Sequence, residues 1–392
     1  MPDSSGATVF DDLPEWLVVD DILIRLASKD ILRCRAVRKS WRSGTSTDKF
    51  ILDHHLRQPS LPIIEHHESG IYRLPDHSGA GAGAASDKKI ELILSVRYGA
   101  GMRIAVVHHA ACDGLLILSQ QDDFYICNPT TRRCASLPHP PRRPLPGISG
   151  VTVIGFYRHR TSGEHRVLWV VYSISIVGNV PAEFPDCFVL AVGSDQPRLL
   201  QWPTVSEGWF RATESSCYPP VHHRGSLHWA TGLNITVFDT VAETFRQMNR
   251  PAQLGGWVSL LDMGGTLALY STTPECVTLD LWVLEDYDAE TWGFQYRINL
   301  LAMVASPPLD FRMKLFPRMV VINERELLIE MGRERLLHCD VDGVFLGNVE
   351  SEERENILRL TKHRLQESLI SLPLFEIPEE DALKEPPFVI VL

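Results

Sequence analysis

The chain changes its period once. Between Leu13 and Leu56 the apolar positions fall at helical spacing, and after Leu56 they fall in short strand-length blocks. Val19, Ile22, Leu23 and Leu26 stand at i, i+3, i+4 and i+7 as a single apolar stripe, with Asp20, Asp21 and Arg25 on the other side. Asp11 and Asp12 are placed to cap this helix, and Pro14 and Glu15 suit its first turn. Ser28 and Asp30 open a second short helix carrying Ile31, Leu32 and Cys34. A third carries Val37 and Trp41 and is expected to continue toward Phe50. Three such helices, roughly 45 residues in all, are below the size at which a core is comfortably stable alone. The segment is therefore either a cap packed on the downstream domain or a plug whose surplus apolar surface a partner completes.

Beyond Leu56 the spans Ile63 to Leu74 and Ile90 to Val96 read as strands, separated by the Gly/Ala/Ser-rich stretch DHSGAGAGAASDKK, which reads as a flexible loop. A weak repeat comes next. The segment from Cys112 to Pro138 has two apolar strands, an Asn-Pro-Thr-Thr turn and the start of another strand. The same order returns from Arg224 to Met248 and from Gly264 to Tyr296, with a degenerate copy from Asn323 to Val349. A recurrence of about 40 to 60 residues built from short strands is the pattern of a β-propeller, and the length suits about six or seven blades. A β-sandwich or an irregular stack of hairpins is the competing arrangement. Asp113-Gly114 and Gly264-Gly265 suit turns with positive φ. Trp202, Trp229, Trp282 and Trp292 are expected to fill the cores between blades. One strand in the tail from Arg364 to Leu392 is expected to close the ring.

A net charge of -11 argues against a nucleic-acid partner, which demands a basic surface. The start MPDSSGATVFDD lacks the features of a secretory signal, and the longest apolar run, around Val167 to Val177, fits a buried strand rather than a membrane span. Eight cysteines without a CxxC pair read as reduced thiols in an intracellular protein, in cytoplasm or nucleus.

Chemistry is sparse. The His pairs at 54–55, 66–67, 108–109 and 222–223 suggest a metal, but neighbours on a strand point to opposite faces, and no HExxH or Cys/His ligand spacing completes a site. No metal or other cofactor is expected. Asp340-Val341-Asp342-Gly343 resembles the opening of a calcium loop with the distal glutamate misplaced, so an Asp-Gly turn is expected. No GxSxG elbow, Walker loop or GxGxxG fingerprint is present, and no catalytic set emerges. A PxxPxR match beginning at Pro138 reads as an extended loop between blades rather than a polyproline ligand.

Leu13-Pro14, Leu17, Ile22-Leu23 and Arg25-Leu26, then KDILRCRAV and KSW, then Phe50 and His55-Leu56, resemble the F-box motif of plant F-box proteins. The resemblance implies docking to the Skp-type adaptor of a cullin–RING ubiquitin ligase and, through it, to a cullin. Carried over by position, the adaptor contacts would be Leu13, Pro14, Ile22, Leu23, Leu26, Leu32, Arg35, Val37 and Trp41. Arg38 departs from the Cys usual in the family, and Ala27 from the common Pro. The first puts a charge near the third helix, and the second softens a helix end. Downstream, CDGLL, NPTTRR, LHW, FD, LDLWVLEDY and FLGNV in this order resemble the F-box-associated domain of the same proteins.

The expected architecture is an α+β multidomain chain, a small N-terminal three-helix F-box followed by a large all-β propeller-like domain. Residues 1–10 are expected to be disordered, 11–57 to form the F-box, 60–375 the propeller and 376–392 a tail. The resemblance implies a non-enzymatic substrate receptor whose propeller binds an unidentified target protein. Two rivals are an enzyme with a site in the central channel of the propeller, and an F-box binding protein not engaged in a ligase.

Overall fold

Each strand–turn–strand copy closes into an antiparallel meander, and six such sheets form the blades of a propeller. The computed structural model describes residues 13–66, 70–74, 88–96, 106–139, 148–174, 186–201, 219–231, 234–254, 257–273, 275, 277–303, 316–331, 335–350, 358–376, 386 and 388–391. Blade 1 comprises Val107–Cys112, Leu115–Gln120, Asp123–Asn128 and Arg133–Leu137, from the inside outward. Blades 2 to 5 repeat that order from the inner strands Ile148–Arg158, Val221–His223, Trp257–Met263 and Arg318–Val321. The apolar run near Val167 forms His165–Ile174, the second strand of blade 2.

Blade 6 is made from both ends of the chain. Its inner strand is Leu358–Gln366, followed outward by Ser60–His66, Gly70–Arg73, Glu91–Val96 and Phe388–Ile390. The pairing runs from Ser60 opposite Gln366 to His66 opposite Leu358. The expected closing strand of the tail is thereby corrected. The ring is shut by a strand that begins at Leu358, before the tail, and the tail contributes Phe388–Ile390 as a cover for the outer edge of that blade.

Strand alternation sends side chains of each blade to both neighbours, so the apolar core is divided among the blade interfaces. Six clusters lie between successive blades. Trp169 meets Phe124 edge-on at 4.6 Å between blades 1 and 2. Trp229 is buried between blades 2 and 3 with its indole N–H on Ile154 O, and Trp292 donates from blade 4 to Asn249 O of blade 3. Trp282 packs on the same interface of blades 3 and 4, as expected, while Trp202 lies outside the described residues.

The repeat in the sequence is a repeated turn. In blades 1, 3, 4 and 5 the third strand ends in Asn128, Asp239, Asp286 or Asp340, whose side chain accepts backbone N–H groups two to four residues on. Arg132, Glu243, Glu290 and Gly343 then take positive φ and turn the chain into the outer strand. Asp340 to Gly343 is therefore a hairpin turn, as expected. The thiol expectation holds for Cys34, Cys112, Cys187 and Cys339 but not for Cys127 and Cys134. These two face each other across neighbouring strands of blade 1 and are joined as a disulfide.

The helical segment precedes blade 6. A first run consists of α1 (Glu15–Leu17), a wider-wound turn Val18–Ile22 and a tighter turn Leu23–Arg25. It is followed by α2 (Ser28–Val37), α3 (Lys39–Thr45) and α4 (Asp48–Arg57). The third expected helix is split because Thr47 caps α4, its hydroxyl accepting the Phe50 N–H at 3.2 Å. In the wide turn the Leu23 N–H reaches back to Val18 O, which rotates the buried face. Val18, Val19, Leu23 and Ile24 are buried and Ile22 is only half-buried, so the simple Val19–Ile22–Leu23–Leu26 stripe does not describe this core.

Candidate functional site: the helical docking face

The nine expected contact residues do not share one environment. Pro14 and Val37 are exposed, Val37 at 72%, whereas Leu23 is 3% exposed and belongs to the helical core. Leu13, Leu26, Leu32 and Trp41 flank that core half-buried, as does Ile22 in its turn. Arg35 ties α2 to α3: its guanidinium donates to Thr45 Oγ1 at 3.1 Å and Thr45 O at 2.6 Å. Burial, with Arg42 adding repulsion, lowers its pKa. Trp16, which the motif did not single out, is 62% exposed. Glu15 accepts from Arg38 at 3.3 Å and Ser40 at 2.9 Å, bringing the segments that carry Trp16 and Val37 side by side. The unusual Arg38 charge thus rests on Glu15 and, at 5.4 Å, over the Trp41 ring.

The opposite side of the helices is committed to the propeller. Leu369, just past the inner strand of blade 6, is buried among Val18, Val19, Leu23, Ile24, Ile31 and Phe50. Gln366 Nε2 donates to His55 O and Gln58 O, both at 2.8 Å, and His55 Nδ1 lies 2.9 Å from Glu367 O. Asp113-Gly114, at the first turn of blade 1, packs against the same stretch. A Cβ on Gly114 would stand 2.6 Å from Gln366 O and 2.4 Å from Ser368 Cβ, and its φ is +77°, so only glycine fits. The cap alternative is thus realised on one face of the helical unit, and the other face leaves Trp16 and Val37 exposed.

This joint fixes the orientation of the propeller. In every antiparallel meander the turns after the first and third strands share one end, and the connections between blades emerge at the other. The helices sit at the end defined by Asp113-Gly114 and Asn128, whose amide donates to Ser368 O and Ile370 O. The strand ends Leu200, Val221, Asn249, Trp257, Asn299 and Arg318 therefore lie at the far face. The expected polyproline-like loop beginning at Pro138, between the last strand of blade 1 and the first of blade 2, lies mostly outside the described residues.

Buried titratable groups surround the axis. Glu65 accepts the His108 N–H at 3.1 Å, linking blade 6 to blade 1, and Glu330 accepts the Leu360 N–H at 2.7 Å, linking blade 5 to blade 6. Burial raises the Glu65 carboxyl to about 7, opposed by the His108 N–H and Arg318. The His108 and His363 rings meet at 4.4 Å, tilted by 59°, and burial takes His108 down to about 3. Lys362 reaches Ser259 and the Tyr270 ring from blade 6. These groups hydrogen-bond backbone or neighbouring blades and act as inter-blade clamps. The described His pairs diverge, the first on α4 and the other two on strands. His54 meets Leu26 O and His55 meets Glu367 O, His108 meets Ala110 O and His109 meets Ser119, and His222 meets Phe156 O and His223 meets Gly265 O.

The fold is thus a six-bladed propeller with a fused helical unit that leaves Trp16 and Val37 exposed. The family model for the F-box associated beta propeller domain matches residues 86–305, and the chain belongs to this family of plant F-box proteins. The F-box/LRR-repeat protein At2g43260 of Arabidopsis thaliana is 27% identical over 321 residues, covering 76% of this chain and 69% of the relative. F-box protein At5g18160 of the same plant is 27% identical over 284 residues, covering 70% of this chain and 67% of its own length. F-box protein At5g49610, also from Arabidopsis thaliana, is 25% identical over 299 residues, with 72% and 78% covered. Among the described residues no helix is long and apolar enough to cross a membrane.

Proposed function

We propose that this chain is the substrate-recognition subunit of an SCF-type cullin–RING ubiquitin ligase. The helical unit docks the Skp-type adaptor, and the far face of the propeller holds a target protein. The observation that carries this reading is the outward face bearing Val37, Trp16 and Pro14 on helices whose inner face is consumed by Leu369 and blade 6. An exposed apolar surface on a member of the F-box family, presented away from its own core, is what a partner helix array would cover. The mechanism is proximity. A bound target is held near a charged ubiquitin carrier, so the local concentration of its lysines rises without chemistry by this chain.

The test is co-purification of the full chain with a Skp-type adaptor, beside Val37→Asp and Trp16→Ala variants. Both positions are exposed, so either change should alter stability by no more than about 0.5 kcal/mol. Each should weaken adaptor binding by at least about tenfold, since a buried interface anchor is worth more than about 1.4 kcal/mol. Full retention of the adaptor by both variants would show that this face is not the docking surface. Leu23→Asp is unsuitable as the probe, because it breaks the helical core itself.

A further inference from the structure

We propose that Cys112, Asp113, His165 and His55 form a zinc site that pins the docking helices to blades 1 and 2. The four residues come from three elements. Cys112 ends the inner strand of blade 1, Asp113 opens its first turn, His165 begins the second strand of blade 2, and His55 lies on α4. Consecutive residues on a strand diverge, but Asp113 has left the strand with φ at +50°, so its carboxylate swings toward the same point as the Cys112 sulfur. The Cys112 Sγ, an Asp113 carboxylate oxygen and a His165 ring nitrogen lie within 4.8 Å of one another. His165 Nε2 is 3.1 Å from one carboxylate oxygen, and His55 Nε2 is 3.9 Å from the other. Tetrahedral zinc, with bonds of about 2.0–2.3 Å, needs ligand atoms spaced by roughly 3.5 Å, within reach of small rotations of Cys112, Asp113 and His165, whereas His55 stands outside that group of three and must turn in as the fourth ligand.

A backbone contact orients His55 toward the same point. Its Nδ1 faces the Glu367 carbonyl at 2.9 Å, and a carbonyl only accepts, so Nδ1 carries the proton. Nε2 is thereby turned toward the Asp113 carboxylate, 3.9 Å away. Metal-ligating histidines are usually held in this way, with the far ring nitrogen donating to a backbone carbonyl. One thiolate, two imidazoles and a carboxylate form a mixed N/S/O set that suits zinc over magnesium or calcium. Both histidines are nearly buried while the Asp113 side chain is 25% exposed, leaving an entry path. Binding would release the Cys112 thiol proton to solvent. The site would join the unit that docks the adaptor to the platform that holds the target, but its existence does not depend on that reading.

The test is titration of chelator-stripped full-length protein with Co2+ alone, as a spectroscopic stand-in for zinc. A single equivalent is expected to give intense visible d–d bands of a tetrahedral site and a thiolate-to-cobalt charge-transfer band, all lost on adding Zn2+. Cys112→Ser should abolish the charge-transfer band, and His165→Ala and His55→Gln should each weaken binding at least about tenfold. Circular dichroism would verify that each variant is folded. X-ray absorption of the zinc-loaded unmodified chain gives a reading independent of any variant, with one sulfur and the remainder nitrogen or oxygen expected. Absence of the bands, their persistence in folded Cys112→Ser, or a shell with no sulfur or with several would overturn the proposal.

Discussion

Replacing Leu369 with alanine tests whether the propeller supplies part of the helical core. Leu369 is 2% exposed and lies among six buried apolar residues of the helices. Large-to-small changes at such sites cost about 2–4 kcal/mol in lost transfer energy and residual cavity. The backbone hydrogen bonds from Gln366 to His55 O and Gln58 O remain. The loss should therefore fall on the helices, which are too small to hold a core alone, and not on the ring. At about 1.4 kcal/mol per factor of ten, opening of α2 to α4 should become at least about 30-fold more frequent. Hydrogen–deuterium exchange reads this directly: amides of residues 28–57 should speed up by that factor while those of blades 2 to 5 stay unchanged. Unchanged protection of the helices, with faster exchange in the blades, would refute the shared core.

Two further predictions concern buried charges of the propeller. The Glu65 carboxyl ionises near 4.5 in the unfolded chain but holds its proton to about 7 in the fold. Between those values the folded state binds more protons, so this group's contribution to stability is lost as pH rises. At 1.36 kcal/mol per pH unit the loss is about 3 kcal/mol at most. Glu65→Gln keeps an acceptor for the His108 N–H, so the variant should match the unmodified chain below pH 4.5 and exceed it by about 2 kcal/mol above pH 7. A difference in denaturation midpoint that is flat with pH would refute the assignment. The buried Glu243 carboxylate of blade 3 accepts from Tyr157 and Arg166 of blade 2 at 2.7 and 2.6 Å and also pairs with Arg198. Glu243→Ala should cost about 1–3 kcal/mol by removing the acceptor of the Tyr157 hydroxyl and one of two carboxylates on Arg166, which keeps Glu164 at 2.9 Å, measured as a lower urea midpoint. Glu243→Gln, which keeps the Tyr157 hydrogen bond, should cost less.

What was legible in the sequence was what is local. The Asn or Asp that ends the third strand of blades 1, 3, 4 and 5 caps its own turn, so each copy carries its signal within a few residues. Blade 2 went unrecognised as a repeat because its equivalent turn, after Ala191, relies on Gly193 at φ +98° with no Asn or Asp at that place. Blade 6 was unreadable as a unit, since Ser60–His66 and Leu358–Gln366 meet only through the closed ring. The motif marks the helical segment but cannot separate Leu23 from Val37. Their environments differ because a wide turn rotates the first run, and because Leu369, distant in sequence, decides which face is inner. The Cys112, Asp113 and His165 cluster was invisible for the same reason. Its members are brought together by a positive-φ turn and the packing of two blades.

That packing bears on how the proposed receptor would present a target. Only Gln58 and Pro59 separate the end of α4 from the first strand of blade 6, and Gln366 holds the Gln58 carbonyl. Proline removes one of the few remaining rotations at this junction. A flexible linker would make the distance between the two surfaces a distribution whose width grows with linker length. Here the path runs instead through Leu369, blade 6 and the strands of the ring. Strands of about six residues rise roughly 20 Å from the turn face to the far face. A target on the far face would therefore stand at a set height and rotation relative to the adaptor, so the lysines reached would be chosen by the geometry of this joint. The exposed surface alone would confer binding, while the buried joint would confer direction.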